Sequence, residues 1–193
     1  MGRKGIQTKA LIKSKAYQLF ADKGFSKITM KDICEACNLS RGGLYRHYGS
    51  TQEIFEEILD GVAAETNVVV QDGIQGGVSA VELLDNLLER MQREMLDKTR
   101  SLSYAVYEYS CTCKSDFMLR MNYEAEQKWQ SLIIYGIQRG EFLAVDAKTM
   151  ADMILYVYQG IRMWSRVIPM DEETVGNIIK KIRKDLVRED ETI

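Results

Sequence analysis

Apolar residues recur along the chain at intervals of three and four, and strand-like alternation is absent, so the pattern predicts an all-α protein. Ile12, Ala16, Leu19 and Phe20 make one face of a first helix, roughly residues 6–23, that stops at Gly24, a residue suited to the left-handed position after a helix end. Thr29 followed by Asp32 has the form of a capping box and opens a second helix with apolar members Met30, Ile33, Ala36 and Cys37. That helix ends at Asn38, which tolerates the left-handed conformation; Leu39 plugs the turn, and Ser40 caps a short third helix, Arg41–Tyr48. Two short helices joined by a tight turn form a helix-turn-helix.

Ser50 with Glu53 repeats the capping pattern and opens a longer helix, to about Asp72, that carries Ile54, Phe55, Ile58, Leu59, Val62 and Val69 and links a head to a body. The Gly73–Gly77 stretch is predicted to be a loop. After it Ser79 with Glu82 caps a helix bearing Leu83, Leu84, Leu87, Leu88, Met91 and Met95. Four more helices are expected near 101–113, 115–138, 147–166 and 172–188, the last two separated by the only proline, Pro169. The predicted domains are 1–50, a three-helix head, and 51–193, a helical body.

Charge sharpens this division. The 193 residues carry a net charge of −2, which by itself points to no partner. Residues 1–50, however, hold ten cations against three anions, a net of +7, and the other 143 residues hold sixteen against twenty-five, a net of −9. A basic head on an acidic body is the footprint of phosphate binding. Hydrophobic residues make up 46% of the chain, enough for a large core, and no apolar run reaches the length of about 20 residues that a spanning helix needs. Four cysteines, Cys34, Cys37, Cys111 and Cys113, without an apolar leader after the basic start, predict a reduced cytoplasmic protein with no membrane partner.

The third helix has the features of a recognition helix: it is short, it offers small or polar residues to base edges, and it has cations at its rims. Leu44 is expected to face inward onto Ile33 and Leu39, which leaves Arg41, Gly43, Tyr45, Arg46 and His47 for DNA. Arg41 and Arg46 can bond guanine in bidentate fashion, a pairing that discriminates by about 1–3 kcal/mol.

The run Ile12–Ala16–Leu19–Phe20–Gly24–Phe25, then Thr29–Met30–Lys31–Asp32–Ile33, then Ser40–Arg41–Gly42–Gly43–Leu44–Tyr45–Arg46–His47–Tyr48, resembles the N-terminal domain of the tetracycline-repressor (TetR) family. The resemblance implies a homodimeric transcription regulator, a repressor that binds a palindromic double-stranded DNA operator and is released by a small lipophilic effector. It also implies that Lys31 touches a base or phosphate, that Tyr45, His47 and Tyr48 hold the sugar-phosphate backbone, and that Thr29 and Ser40 aim capped helix N-termini at phosphate. Gly43 falls where the family often has a base-contacting side chain. Thr51 falls where it usually has a lysine; a hydroxyl releases no counterion, so the salt slope should be shallower by about one unit per half-site.

In the body, Tyr104, Tyr107, Glu108 and Cys111 fall on one short helix and are the candidate effector-binding residues. Two apolar faces, Met150, Ile154, Val157 and Ile161 on one helix and Val175, Ile178, Ile179 and Ile182 on another, are the candidate dimer seam. Two-fold symmetry would set the recognition helices about 34–36 Å apart, or a multiple of that. His47 is the only histidine, so no metal site, cofactor or His-based catalysis is expected, and the protein is read as a non-enzyme. Cys34 and Cys37 are read as packing residues. Two rival readings remain: a ligand-independent architectural or cell-division DNA-binding protein, and an enzyme using Cys111 and Cys113 in thiol chemistry.

Overall fold

The computed structural model describes residues 3–97, 101–165 and 167–188. Among these there are nine helices and no strand: α1 (Arg3–Lys23), α2 (Met30–Cys37), α3 (Arg41–Tyr45), α4 (Thr51–Gln75), α5 (Ala80–Leu96), α6 (Ser103–Thr112), α7 (Phe117–Gln138), α8 (Ala147–Trp164) and α9 (Glu172–Leu186). One isolated bridge pairs Phe142 with Val187. No described helix is long and apolar enough to cross a membrane. Residue 166, the expected end of the eighth helix, lies outside the described residues.

Packing sorts the chain into two compact units that do not follow chain order. The first holds residues 1–63 with 99–118, so the opening turns of α4 and the whole of α6 pack with the head rather than with the rest of the body. Burial explains why. Ile12, Ala16 and Phe20 of α1, Ile33 of α2, Leu44 of α3 and Ile54 and Phe55 of α4 are all fully buried. Five rings extend that core into α6: Phe25 lies 5.0 Å from Phe55, Tyr109 lies 5.2 Å from Phe25 and 5.3 Å from Phe55, and Phe117 lies 5.9 Å from Tyr109. Phe20 stacks near Phe25 at 5.7 Å. Aromatic pairs at these spacings contribute beyond their buried area.

Gly24 is required twice over in this unit. Its φ of +85° closes α1, and its N–H donates to the Phe20 carbonyl at 2.9 Å. A Cβ there would also sit 2.2 Å from Oε2 of Glu108.

The second unit, residues 64–98 and 119–193, is built on Leu84, Leu88, Met95, Leu132, Ile133, Phe142, Ile154, Val175 and Leu186. Two expectations are corrected here. The 73–77 loop is shorter than predicted, because α4 runs on to Gln75, and Gly73, lacking a Cβ, lets Leu83 of α5 lie where a side chain would be. The Ser79 hydroxyl makes no cap bond to α5. It donates instead to Oε2 of Glu141 at 2.7 Å, and the same carboxylate oxygen accepts the Val81 N–H at 3.1 Å, so an acid 60 residues away caps the helix. Arg139 completes the arrangement by bonding the other Glu141 oxygen. Burial alone would raise the Glu141 pKa, but the Arg139, Ser79 and Val81 hydrogen bonds outweigh it and hold it at about 2.

Candidate nucleic-acid interface

The helix-turn-helix is assembled by local rules. Thr29 and Asp32 form the reciprocal capping box: Asp32 N–H donates to Thr29 Oγ1 at 3.3 Å, and Thr29 N–H donates to Asp32 Oδ2 at 2.8 Å. The Thr29 hydroxyl and backbone bonds hold the Asp32 carboxyl below its ordinary range. Asn38 takes φ +53°, and Leu39 N–H returns to the Cys34 carbonyl at 3.0 Å. Ser40 Oγ then accepts the Gly43 N–H at 3.1 Å and starts α3.

Leu44 is fully buried and pins α3, so Arg41, Tyr45 and Arg46 are left exposed, Tyr45 by 54%. Neither Arg41 nor Arg46 forms an ion pair with a described residue, and both guanidinium groups are available to an outside acceptor. Gly43 is half-buried, with the Ser40 hydroxyl 3.3 Å from where its Cβ would be. His47 is half-buried, with Nδ1 inside. Lys31 is well exposed and loosely paired with Glu35 at 3.7 Å. Thr51 is half-buried at the start of α4, whose cap departs from the expected form: Ser50 Oγ accepts the Glu53 N–H at 3.1 Å, but the Glu53 carboxylate accepts from Gly49 at 2.6 Å.

Tyr48 is not where the sequence suggested. The third helix ends at Tyr45, three residues early, and the chain turns so that Tyr48 is 1% exposed. Lys9 lies over its ring at 4.7 Å, and Glu57 binds Lys9 at 2.8 Å and Lys13 at 3.4 Å. Burial, then the nearby Glu57 charge, push the phenol pKa up. A ring enclosed in this way is a core residue and does not reach a DNA backbone. Glu57 itself was not singled out in the sequence; the basic balance of the head counts Lys9 and Lys13, which it partly neutralises.

The four candidate effector residues on α6 do not converge. Tyr104 and Glu108 face Gly24, and Glu108 Oε2 accepts the Ser26 N–H at 3.2 Å, while Tyr107 is 51% exposed and Cys111 is exposed. This face of α6 holds the turn after α1. Cys34 and Cys37 are buried free thiols.

The candidate dimer residues divide between the core of this chain and an open groove at its surface. Met150, Ile154, Ile161, Val175, Ile179 and Ile182 are buried within a single chain, and Ile178 is half-buried against the same core. Of the predicted set Val157 alone is exposed, and the outward stripe of α8 consists of Met153, Tyr156, Val157, Met163 and Trp164. Beside it an open groove of about 290 Å³ is lined by Met150, Met153, Ile154 and Val157 of α8 and Ile178, Lys181 and Ile182 of α9, so five of the eight candidate dimer residues reach it.

An exposed, capped recognition helix on a buried leucine anchor defines a helix-turn-helix DNA-binding regulator. Residues 12–58 match the family described as bacterial regulatory proteins, tetR family. It is 28% identical over 152 residues to the HTH-type transcriptional regulator YfiR of Bacillus subtilis, covering 76% of this chain and 74% of that one. It is 25% identical over 146 residues to the HTH-type transcriptional repressor KstR2 of Rhodococcus jostii, covering 73% and 70%. The reduced form of Escherichia coli NemR superposes with a TM-score of 0.81 at 10% identity, over 95% of this chain and 99% of that one, which shows the shared fold.

Proposed function

We propose that the protein is a homodimeric, effector-responsive repressor that binds a palindromic operator. The observation that carries the DNA reading is the pair of exposed guanidinium groups, Arg41 and Arg46, which form no ion pair with a described residue, on a helix fixed by Leu44. In this reading Arg41 and Arg46 read bases. Lys31, Tyr45, His47 and Thr51 hold the backbone, Thr29 and Ser40 present capped helix N-termini, and Gly43 lets the chain approach the groove. The repressor assignment is supported by the likeness to KstR2, which is named a transcriptional repressor.

The dimer reading is supported by the exposed apolar stripe of α8, since such a stripe is costly to leave in water. Effector binding would shift the population of dimers toward one whose heads are spaced wrongly for two successive grooves. The chain segments suited to carry that shift are α4, which runs through both compact units, and α6, which packs with the head while the chain on either side of it belongs to the body.

Sedimentation and electrophoretic shift test the assembly together. A Tyr156→Glu, Val157→Glu double variant is expected to sediment as a folded monomer and to bind a two-half-site duplex no better than a single half-site. A variant that stays dimeric would place the interface elsewhere and overturn this part of the reading.

A further inference from the structure

The four cysteines fall into two kinds. Cys34 and Cys37 are packing residues, each 6% exposed. Cys111 is exposed and Cys113 half-buried, both are free thiols, and neither contributes to the buried core. They stand two residues apart across the end of α6, which closes at Thr112. Cys111 lies in the last turn, and Cys113 leaves the helix in an extended conformation, with φ −99° and ψ 113°. The Cys113 N–H donates to the Tyr109 carbonyl at 2.8 Å and closes the helix, and the Cys113 carbonyl accepts the Ser115 N–H at 3.1 Å.

Chain geometry keeps this pair within bridging reach. Two residue steps span at most about 7 Å, and disulfides join Cα atoms about 4.4–6.8 Å apart. Direction holds the sulfurs apart: while α6 keeps its last turn, side chains two residues apart leave the helix axis about 200° from each other. Closing an S–S bond therefore requires that turn to unwind. The bonds at stake are the one from Cys113 to Tyr109 and the one from the Thr112 hydroxyl to the Glu108 carbonyl at 2.8 Å.

Tyr109 is where the rearrangement is felt. Its ring is fully buried against Phe25, Phe55 and Phe117, and its hydroxyl donates to Glu56 and lies 2.9 Å from Ser115 Oγ. Ser115 is two residues beyond Cys113. The carbonyl and the hydroxyl of Tyr109 are thus both tied to the segment that a disulfide would rebuild.

We propose that Cys111 and Cys113 form a reversible modification site, a dithiol that a low-molecular-weight disulfide oxidises, unwinding the end of α6 and loosening the Tyr109 anchor in the head. This goes beyond the effector-responsive reading and needs neither an effector nor a dimer. The exposed Cys111 thiolate attacks one sulfur of the oxidant RSSR; a Cys111–SR bond forms and RS⁻ leaves. The Cys113 thiolate then attacks the Cys111 sulfur, forms the Cys111–Cys113 bond and expels the second RS⁻. Two protein thiols lose two protons and two electrons, and RSSR is reduced to two RSH. A ring closed over one intervening residue is strained, and strained or exposed disulfides are the readily reduced ones, so excess thiol reverses the step.

The test incubates the full chain with oxidised glutathione, then follows it by non-reducing peptide mass spectrometry and by hydrogen exchange. The expected product is a peptide that holds both Cys111 and Cys113 and is two hydrogens lighter, with Cys34 and Cys37 unreacted. In that product the amides of residues 109–113 should exchange at least about fivefold faster, the scale of one lost hydrogen bond, and dithiothreitol should restore them. Cys113→Ser should stop at the glutathione adduct on Cys111, and Cys111→Ser should form no intrachain bond. Both variants should match the exchange of the reduced unmodified protein before oxidation, which shows that they fold. Glutathione adducts that persist in the unmodified chain without the lighter peptide, or S–S bonds formed between two chains, would overturn the site. A crosslinked chain with unchanged protection over 109–113 would overturn its coupling to α6.

Discussion

Replacing Tyr109 by phenylalanine removes one oxygen from a fully buried residue and keeps its ring, which separates two ways in which α6 is held. The hydroxyl donates to Glu56 and lies 2.9 Å from Ser115 Oγ; burial first, then Glu56, push its pKa up to about 12. Its loss should cost about 1–2 kcal/mol, the lower part of the range for a bond to a charged group, because Glu56 keeps the Gln52 side chain as a donor at 2.9 Å. Tyr109→Ala removes the ring contacts to Phe25, Phe55 and Phe117 as well and opens a cavity, for about 3–5 kcal/mol. Because the chain has two compact units, a single global unfolding energy is a poor readout. Hydrogen exchange of the α6 amides, residues 103–112, reports the local opening directly. The alanine variant should lose at least about 1 kcal/mol more protection energy than the phenylalanine variant. Equal losses, or losses under about half a kcal/mol in both, would refute the assignment of α6 to the head through this ring cluster.

Further outcomes follow from single contacts. Gly24→Ala forces a side chain into a positive φ and against Glu108, so it should destabilise the first unit by more than about 1 kcal/mol and expose α6 to exchange. Glu141 has its folded pKa held at about 2, below the ordinary carboxylate value of 4.5, so its contribution is complete above about pH 4.5 and is lost as pH falls toward 2. Glu141→Gln should therefore cost about 1–2 kcal/mol at pH 7, read as lost amide protection in the first turns of α5, and its difference from the unmodified protein should shrink across that acid window. Arg41→Ala and Arg46→Ala should each weaken operator binding by about 1–3 kcal/mol and relax base preference at one position per half-site, measured by competition on single-base operator variants.

What could be read from the sequence is what local chemistry decides. The Thr29–Asp32 box, the left-handed Asn38, the Ser40 cap and the Gly24 stop each need only neighbours within four residues, and each is present in the structure. Contacts that join distant residues were hidden. Ser79 reads as a cap until Glu141 arrives from another part of the chain, and nothing within a helical turn of Tyr48 announces that Lys9 and Glu57 enclose it. Which residues of α8 stay outside was hidden for a different reason. The helix is apolar nearly all round, so the stripe Met150–Ile154–Ile161 that enters the core and the stripe Met153–Val157–Trp164 that stays outside have the same period. Arg90 and Glu94, and Tyr158 and Arg162, stand four residues apart in the sequence, but only the fold joins the two pairs through the Tyr158–Glu94 hydrogen bond.

The central claim, that this head reads a two-fold DNA sequence, is tested most directly by in vitro selection of random duplex DNA with the purified protein at two salt concentrations. The account predicts an enriched palindromic motif that survives the higher salt, with guanines at the positions that disappear from the motif in Arg41→Ala and Arg46→Ala. Binding at low salt alone, with no enriched motif, would contradict it and favour a DNA-binding protein of architectural type.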